Sequence, residues 1–206
     1  MTSFIHIGIA DFCEIAAIHG KKYKKGIGIE AIPNSASIAR SRADYWNKQH
    51  GTQFEVLNYC ITNTDDDIVN YNIASNNGHS SSIYPMKEHK EIWKDVSEVG
   101  QSEFKTKRMM TIVKENNINL LEYEDLIVDV QGAELEVLKS FDGNIRHFKT
   151  IEVEISTKEL YEGQVLFPEL NQYLEDHGFK KQCEPHTFHC NLIYDNIKEN
   201  IFWNKN

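Results

Sequence analysis

Short apolar runs closed by glycine or an acid recur along the chain, and stretches with apolar residues at helical spacing separate them. Phe4 to Ile7 reads as a buried strand ending at Gly8. Ile9 to Phe12 forms the turn, and a helix follows from about Asp11 to His19 with Gly20 as its cap. A second strand, Gly26 to Glu30, closes on an acid, and a helix runs from Pro33 to about His50. Phe54 to Ile61 is a third strand, and Ile68 to Ile73 alternates like a half-exposed one. Residues 74 to 103 are polar and irregular, which predicts an inserted loop or lid with a short helix near Glu88 to Val96. Phe104 to Met110 reads as a strand or extended arm, and Thr111 to Asn117 as a helix.

The sharpest local pattern comes next. Leu126 to Val128 is a short strand ending on Asp129, the turn is Val130-Gln131-Gly132, and a helix begins at Ala133 or Glu134. A carboxylate in that position stands at the carboxyl edge of a sheet, where open α/β folds bind ligands. Lys149 to Ile155 is a further strand and Phe167 to His177 an amphipathic helix. Phe179 to Cys183 and Thr187 to Tyr194 form a closing hairpin. Strand and helix alternate throughout, so the pattern predicts one α/β domain over residues 1 to 206, a mostly parallel doubly wound sheet.

Composition narrows the partners. The formal charge is −9 and the densest basic run, Lys21 to Lys25, is short, which argues against a nucleic-acid partner. Four cysteines show no disulfide framework, no secretory signal opens the chain and no apolar run reaches membrane-spanning length. A soluble cytoplasmic protein is expected.

Gly8 and Glu30 form a first chemical pair, since an acid ending the second strand can accept both hydroxyls of a ribose. The alternative is a plain turn glycine and a helix-flanking acid. After Gly8 no glycine occurs until Gly20, so the turn is poor in the glycines a pyrophosphate needs, and Asp11 adds repulsion. A phosphate-free adenosine cofactor suits it better.

Ile5-His-Ile-Gly8, Gly28-Ile-Glu30-Ala-Ile-Pro33, Ser80-Ser-Ser-Ile83, Asp129-Val-Gln-Gly-Ala-Glu134 and Leu160-Tyr-Glu-Gly163 together resemble the FkbM family of S-adenosylmethionine-dependent methyltransferases. The resemblance implies the class I methyltransferase (Rossmann-like) sheet, usually of seven strands with the last antiparallel. It also implies O-methylation of a carbohydrate or glycoconjugate hydroxyl. By that resemblance Gly8 lies under the methionine part of S-adenosyl-L-methionine and Glu30 holds the ribose. Cys60 and Ile61 lie by the adenine, Asp129 faces the methionine end and the acceptor, and His6, Ala31 and Ser81 join the cofactor-binding set.

A sugar hydroxyl is a poor nucleophile near neutral pH, so a base or a metal should assist. Asp129 is the first candidate base, His79 the second and Glu134 a third catalytic candidate, although Glu134 equally suits a helix N-terminus and His79 an exposed loop. Glu152 and Glu154 share one strand face. If that face turns to Asp129, Asp129 and Glu154 could hold a divalent cation. His6 is a substrate-side group or a core histidine. Cys183, His186, His189 and Cys190 have zinc-ligand chemistry, but a hairpin turns His189 and Cys190 to opposite faces. Strand one starts close to Met1, so residues 74 to 103, the tail at Ile201 to Trp203 or the mate in a homodimer is expected to close the pocket. Two rivals remain: a non-catalytic methyltransferase-like binding module, supported by the unusual turn at Ile9 to Asp11, and an NAD-dependent oxidoreductase.

Overall fold

Three strands are buried along almost their whole length, and they fix the centre of the fold: β1 (Ser3–Ile7), β2 (Lys25–Glu30) and β7 (Asp125–Val128). Strands covered on both faces belong to the middle of a parallel sheet, and β1 pairs in parallel with β2 on one side and β7 on the other. The computed structural model describes residues 2–13 and 19–197. Its seven-stranded sheet runs β3-β2-β1-β7-β8-β10-β9, with β3 (Gln53–Asn58), β8 (Thr150–Ser156), β9 (Phe179–Lys181) and β10 (His189–Asn196). Only β10, the last in sequence, runs antiparallel to its neighbours β8 and β9. This is the class I methyltransferase arrangement.

The chain winds outward from β1 to β3 and returns to β7 on the other side of β1. The reversal falls between β1 and β7, and the carboxyl ends of those strands flank the crevice where such sheets take ligands. Isoleucines 5, 7, 27 and 29, Leu126, Val128, Ile151 and Val153 form the core of the sheet. Leu135, Val137 and Leu138 of α5 (Glu134–Lys139) cover it. On the β3 side α2 (Pro33–His50) packs through Ala36, Ala39 and Ala43, small residues that let a long helix lie close to the strands. Pro33 opens α2 and Gly51 closes it in the left-handed region. The amphipathic helix near the C-terminus is α6 (Phe167–Asp176), held by Leu170 and Leu174.

Several elements depart from the sequence pattern. The expected helix from Asp11 to His19 falls largely outside the described residues. Of its start, Phe12 stands at φ +57° in a turn, and α1 (His19–Lys22) contains Gly20 rather than ending on it. The third strand breaks at Tyr59. β4 (Cys60–Ile61) leaves the main sheet and pairs with β6 (Glu98–Lys107), whose other neighbour is β5 (Ile68–Ala74). Residues 74 to 103 are therefore partly strand, because β6 starts six residues before Phe104. The hydrogen-bonded partner of that polar stretch lies in distant β5, and no local pattern shows it. The short helix expected there is α3 (His89–Ile92), and α4 (Met109–Glu115) follows β6. No helix among the described residues is long and apolar enough to cross a membrane. The aromatic tail at Ile201 to Trp203 lies outside the described residues.

Gly8 has φ +89°, and a Cβ built there would stand 1.7 Å from the Asp129 carbonyl oxygen. The glycine is needed because the β7 turn crosses over it. Gly8→Ala is expected to destabilise the fold by ~2 kcal/mol or more from backbone strain and collision, a fall of ~5 °C or more in Tm. Gly51→Ala, at φ +64° with open space around its Cβ, carries the strain alone and should lose about half as much. Equal melting temperatures for the two variants would defeat this reading of Gly8.

Candidate functional site

The crevice at the carboxyl edge holds two adjoining cavities. The first encloses about 840 Å³, its mouth included, and lies across the ends of β1, β2, β4 and β7. Ligand pockets are ordinarily of this size. All eight residues expected to bind the cofactor line it: His6, Gly8, Glu30, Ala31, Cys60, Ile61, Ser81 and Asp129. Tyr59, Tyr71 and Ile83, which the sequence did not single out, line it as well.

Glu30 is buried, and burial raises its carboxyl pKa above the ordinary value. Its Oε2 accepts the Ala10 N–H at 2.9 Å and its Oε1 the Ile32 N–H at 2.8 Å. Each oxygen keeps a second acceptor direction for a ligand hydroxyl. The same carboxylate thus anchors the glycine-poor turn after Gly8. Ala10 there adopts φ +47° without a glycine, and Phe12 buries its ring against Phe4 and Phe54. Asp11 does not present an open negative charge, since Arg42 Nη1 lies 2.7 Å from its Oδ1.

The second cavity lies on the far side of Asp129, Gln131 and His79, which line both. Its own walls include His89, Trp93, Glu154 and His189. At the divide, Gln131 Nε2 donates to Asp129 Oδ1 at 2.6 Å and to Glu154 Oε2 at 2.8 Å. Gln131 Oε1 lies 2.8 Å from the Tyr161 hydroxyl. Gln131 stands at φ +58°, in the left-handed region, so the backbone is strained to aim this amide. The residue sat in view between Val130 and Gly132, and its chemistry became apparent only with the partners in place.

Burial, and then the neighbouring Glu154 charge, push the Asp129 carboxyl well above the usual range. Glu154 is likewise pushed up, to about 8, by burial and by Glu134. Two carboxyls held this close by one amide cannot both ionise readily, so the pair keeps at least one proton at neutral pH. Glu154 Oε1 also lies 3.1 Å from His189 Nε2. A base at Asp129 is therefore a carboxyl pair rather than a lone carboxylate.

Glu134 lines neither cavity. Its Oε1 accepts the N–H groups of Val130 at 3.1 Å and Gly132 at 3.0 Å, so it holds the turn that carries Asp129 and Gln131. This is the arrangement expected of the helix-start alternative, in which a carboxylate beginning a helix satisfies the free N–H groups nearest to it. Burial lifts its pKa to about 7. Between Asp129 and Glu154, where a divalent cation was one alternative, stands the Gln131 amide nitrogen, a donor to both acids. Among the described residues the ligand atoms close enough to share an ion belong to Asp11, Cys13 and His79, within 4.8 Å of one another at the rim of the first cavity. Cys183, His186, His189 and Cys190 do not converge there: His189 faces Glu154, while Cys190 Sγ contacts the Thr187 carbonyl. Glu152, on the same strand face as Glu154, accepts from Asn191 Nδ2 and lines neither cavity.

Comparison with known proteins adds the following. The family model described as the methyltransferase FkbM domain matches residues 4–181. No curated protein matches the chain in sequence. Among solved structures, the FkbM methyltransferase of Methylobacillus flagellatus KT superposes with TM-score 0.55 at 12% identity, covering 94% of this chain and 43% of that one. The METTL16 methyltransferase domain gives 0.50 at 12% identity, covering 95% and 59%. M. capricolum TrmK, solved with S-adenosyl-homocysteine, gives 0.46 at 10% identity, covering 95% and 62%. The chain thus spans about three fifths of the first structures it matches, and at these identities the likeness is one of fold.

The carboxyl cluster has a consequence for stability. Glu154 and Glu134 ionise near 4.5 when unfolded but near 8 and 7 in the fold. Between those values the native state keeps protons that the unfolded chain has lost, so stability present below pH 4.5 is lost as the pH rises. Glu154→Gln removes one such group. Its stability relative to the unmodified chain is expected to rise by on the order of 2 kcal/mol between pH 5 and pH 8. Urea unfolding at the two pH values measures this, and parallel curves would reject the retained-proton description.

Proposed function

Because the chain belongs to the family of FkbM methyltransferase domains, we propose that it is an S-adenosylmethionine-dependent O-methyltransferase acting on a hydroxyl of a carbohydrate or glycoconjugate. The observation that carries this reading is the single cavity that collects Gly8, Glu30, Cys60, Ile61 and Asp129, with a second, polar cavity beyond Asp129. The residues present fit the cofactor. Glu30 has acceptor directions for a ribose diol, and Tyr59, Ile61 and Ile83 offer an apolar wall to adenine. No lysine or arginine is among the described residues lining the cavity. A dinucleotide would bring a pyrophosphate there with no cation to meet it, which disfavours the NAD-dependent oxidoreductase.

When bound, S-adenosylmethionine supplies an activated methyl group on a cationic sulfonium. Asp129 and Glu154 place negative charge on that side of the crevice. Positioning the acceptor oxygen in line supplies much of the rate. The Asp129–Glu154 pair takes the hydroxyl proton as the oxygen is methylated, His79 stands at the same divide, and Gln131 fixes the two carboxyls relative to each other. Residues 74 to 103 supply the outer wall of both cavities through Gly78, His79 and Trp93 within one folded unit.

Calorimetric titration with S-adenosylhomocysteine is expected to show one site, with NAD giving no heat, and Glu30→Ala is expected to weaken binding tenfold or more. Heat from NAD alone would overturn the assignment, and heat from neither would favour a non-catalytic binding module. With an acceptor in hand, Asp129→Asn should lower kcat by on the order of 100-fold or more, as loss of a general base does. Binding of S-adenosylhomocysteine should stay within threefold. An unchanged kcat removes Asp129 from the chemistry.

A further inference from the structure

The second cavity carries information about what it admits. It encloses about 660 Å³, its mouth included, and it meets the first only at Asp129, Gln131 and His79. One wall is aromatic. The Trp93 ring lies 4.6 Å from His89, 5.5 Å from His189 and 6.3 Å from Phe188. The lining also includes the polar residues Asn76, Ser80 and Glu154. A sugar ring has this division of character, with C–H faces that pack on an aromatic ring and hydroxyls around the edge that need donors and acceptors.

An independent feature points to a polar occupant. His89 is buried to 4% exposure, and its Nδ1 has no hydrogen-bond partner among the described residues. Buried polar atoms are ordinarily satisfied, and this one belongs to a residue of the cavity wall. A turn of the imidazole that brings this nitrogen to the cavity would let a ligand hydroxyl satisfy it.

Charge is the third observation. None of the described residues lining either cavity is a lysine or arginine. The nearby Lys158 ammonium sits over the Phe188 ring, outside the lining. Burial lowers the pKa of both His89 and His189, so neither imidazole brings a positive charge at neutral pH. The acids in the second cavity's lining, Asp129 and Glu154, bring no positive charge in any protonation state. Phosphate recognition calls for the opposite, an arginine or lysine cluster or a free helix N-terminus.

We propose that this second cavity is the acceptor site, that Trp93 and His89 seat a sugar ring in it, and that it admits uncharged sugar units and rejects phosphorylated or nucleotide-linked ones. The proposal rests on the methyltransferase reading for the word acceptor, but the cavity's selectivity stands on its own residues.

Saturation-transfer NMR on the full chain tests this, with and without S-adenosylhomocysteine. The probes are methyl glycosides of glucose, galactose, mannose and N-acetylglucosamine, against glucose 1-phosphate and UDP-glucose. Signals are expected from one or more of the neutral glycosides, reduced fivefold or more in Trp93→Leu and in His89→Asn, with none from the phosphorylated pair. Two variants are used because either alone could disturb the loop, and circular dichroism verifies that each is folded. Phosphorylated probes that match or exceed the neutral ones would overturn the proposal. So would the lack of any neutral glycoside whose signal depends on Trp93 or His89. Failure of S-adenosylhomocysteine to bind in the separate titration would strike the methyltransferase reading, and the signals recorded without it would still decide the cavity's selectivity.

Discussion

The close crossing of two backbones, Gly8 under Asp129, is the constraint from which the rest of the site follows. Asp129 N–H donates to the Ile7 carbonyl at 3.0 Å, and the missing Cβ at Gly8 leaves room for the Asp129 carbonyl. That contact brings the ends of β1 and β7 together at the point where the winding of the sheet reverses. It also sets the height of the turn that follows β7. Glu134 pins the turn from the helix side through Val130 and Gly132, and Ser82 Oγ donates to the Gln131 carbonyl from the 74–103 side. The turn is thereby held on three sides. Gln131 can then keep an unfavourable backbone angle and aim its amide between two acids.

That amide is the hinge between the two cavities. Its two N–H groups fix Asp129 and Glu154, and its oxygen faces Tyr161, whose hydroxyl also lies 3.2 Å from the Ser80 carbonyl. A fully satisfied polar network of this kind is rigid, and in low-dielectric surroundings each member raises the cost of losing another. Acids with raised pKa values beside a crevice whose described lining holds no lysine or arginine make a region suited to cationic and uncharged groups. The same electrostatics would serve a sulfonium on one side of Asp129 and an uncharged polyol on the other. Neither would be served by a phosphate.

Family membership and fold are settled at the level of the domain. The ends of the central strands line the first cavity, while residues 74 to 103 bring Trp93 and His89 to the second. The core decides that a crevice exists, and the inserted segment decides its shape.

Sequence alone determined the central sheet, because buried parallel strands are continuous apolar runs whose ends are marked by Gly8, Glu30 and Asp129. It also determined α2, bounded by Pro33 and Gly51. Gly8, Glu30 and Asp129 were legible as strand ends at a reversal point; the rest of the eight residues expected at the cofactor came from the family resemblance, and all eight line one cavity. The second cavity was not legible. His89 and Trp93 lie four residues apart on one short helix and its C-terminal cap, but His189 comes from β10, distant in the chain, and no local pattern joins the three. Nor could sequence tell a catalytic Glu134 from one that holds a turn, because the two differ only in where the carboxylate points. Polar β6 found its partner in β5 through backbone hydrogen bonds, which leave no mark on side-chain pattern. Periodicity records which residues face a core, and only packing decides which polar groups from distant elements come to face one another.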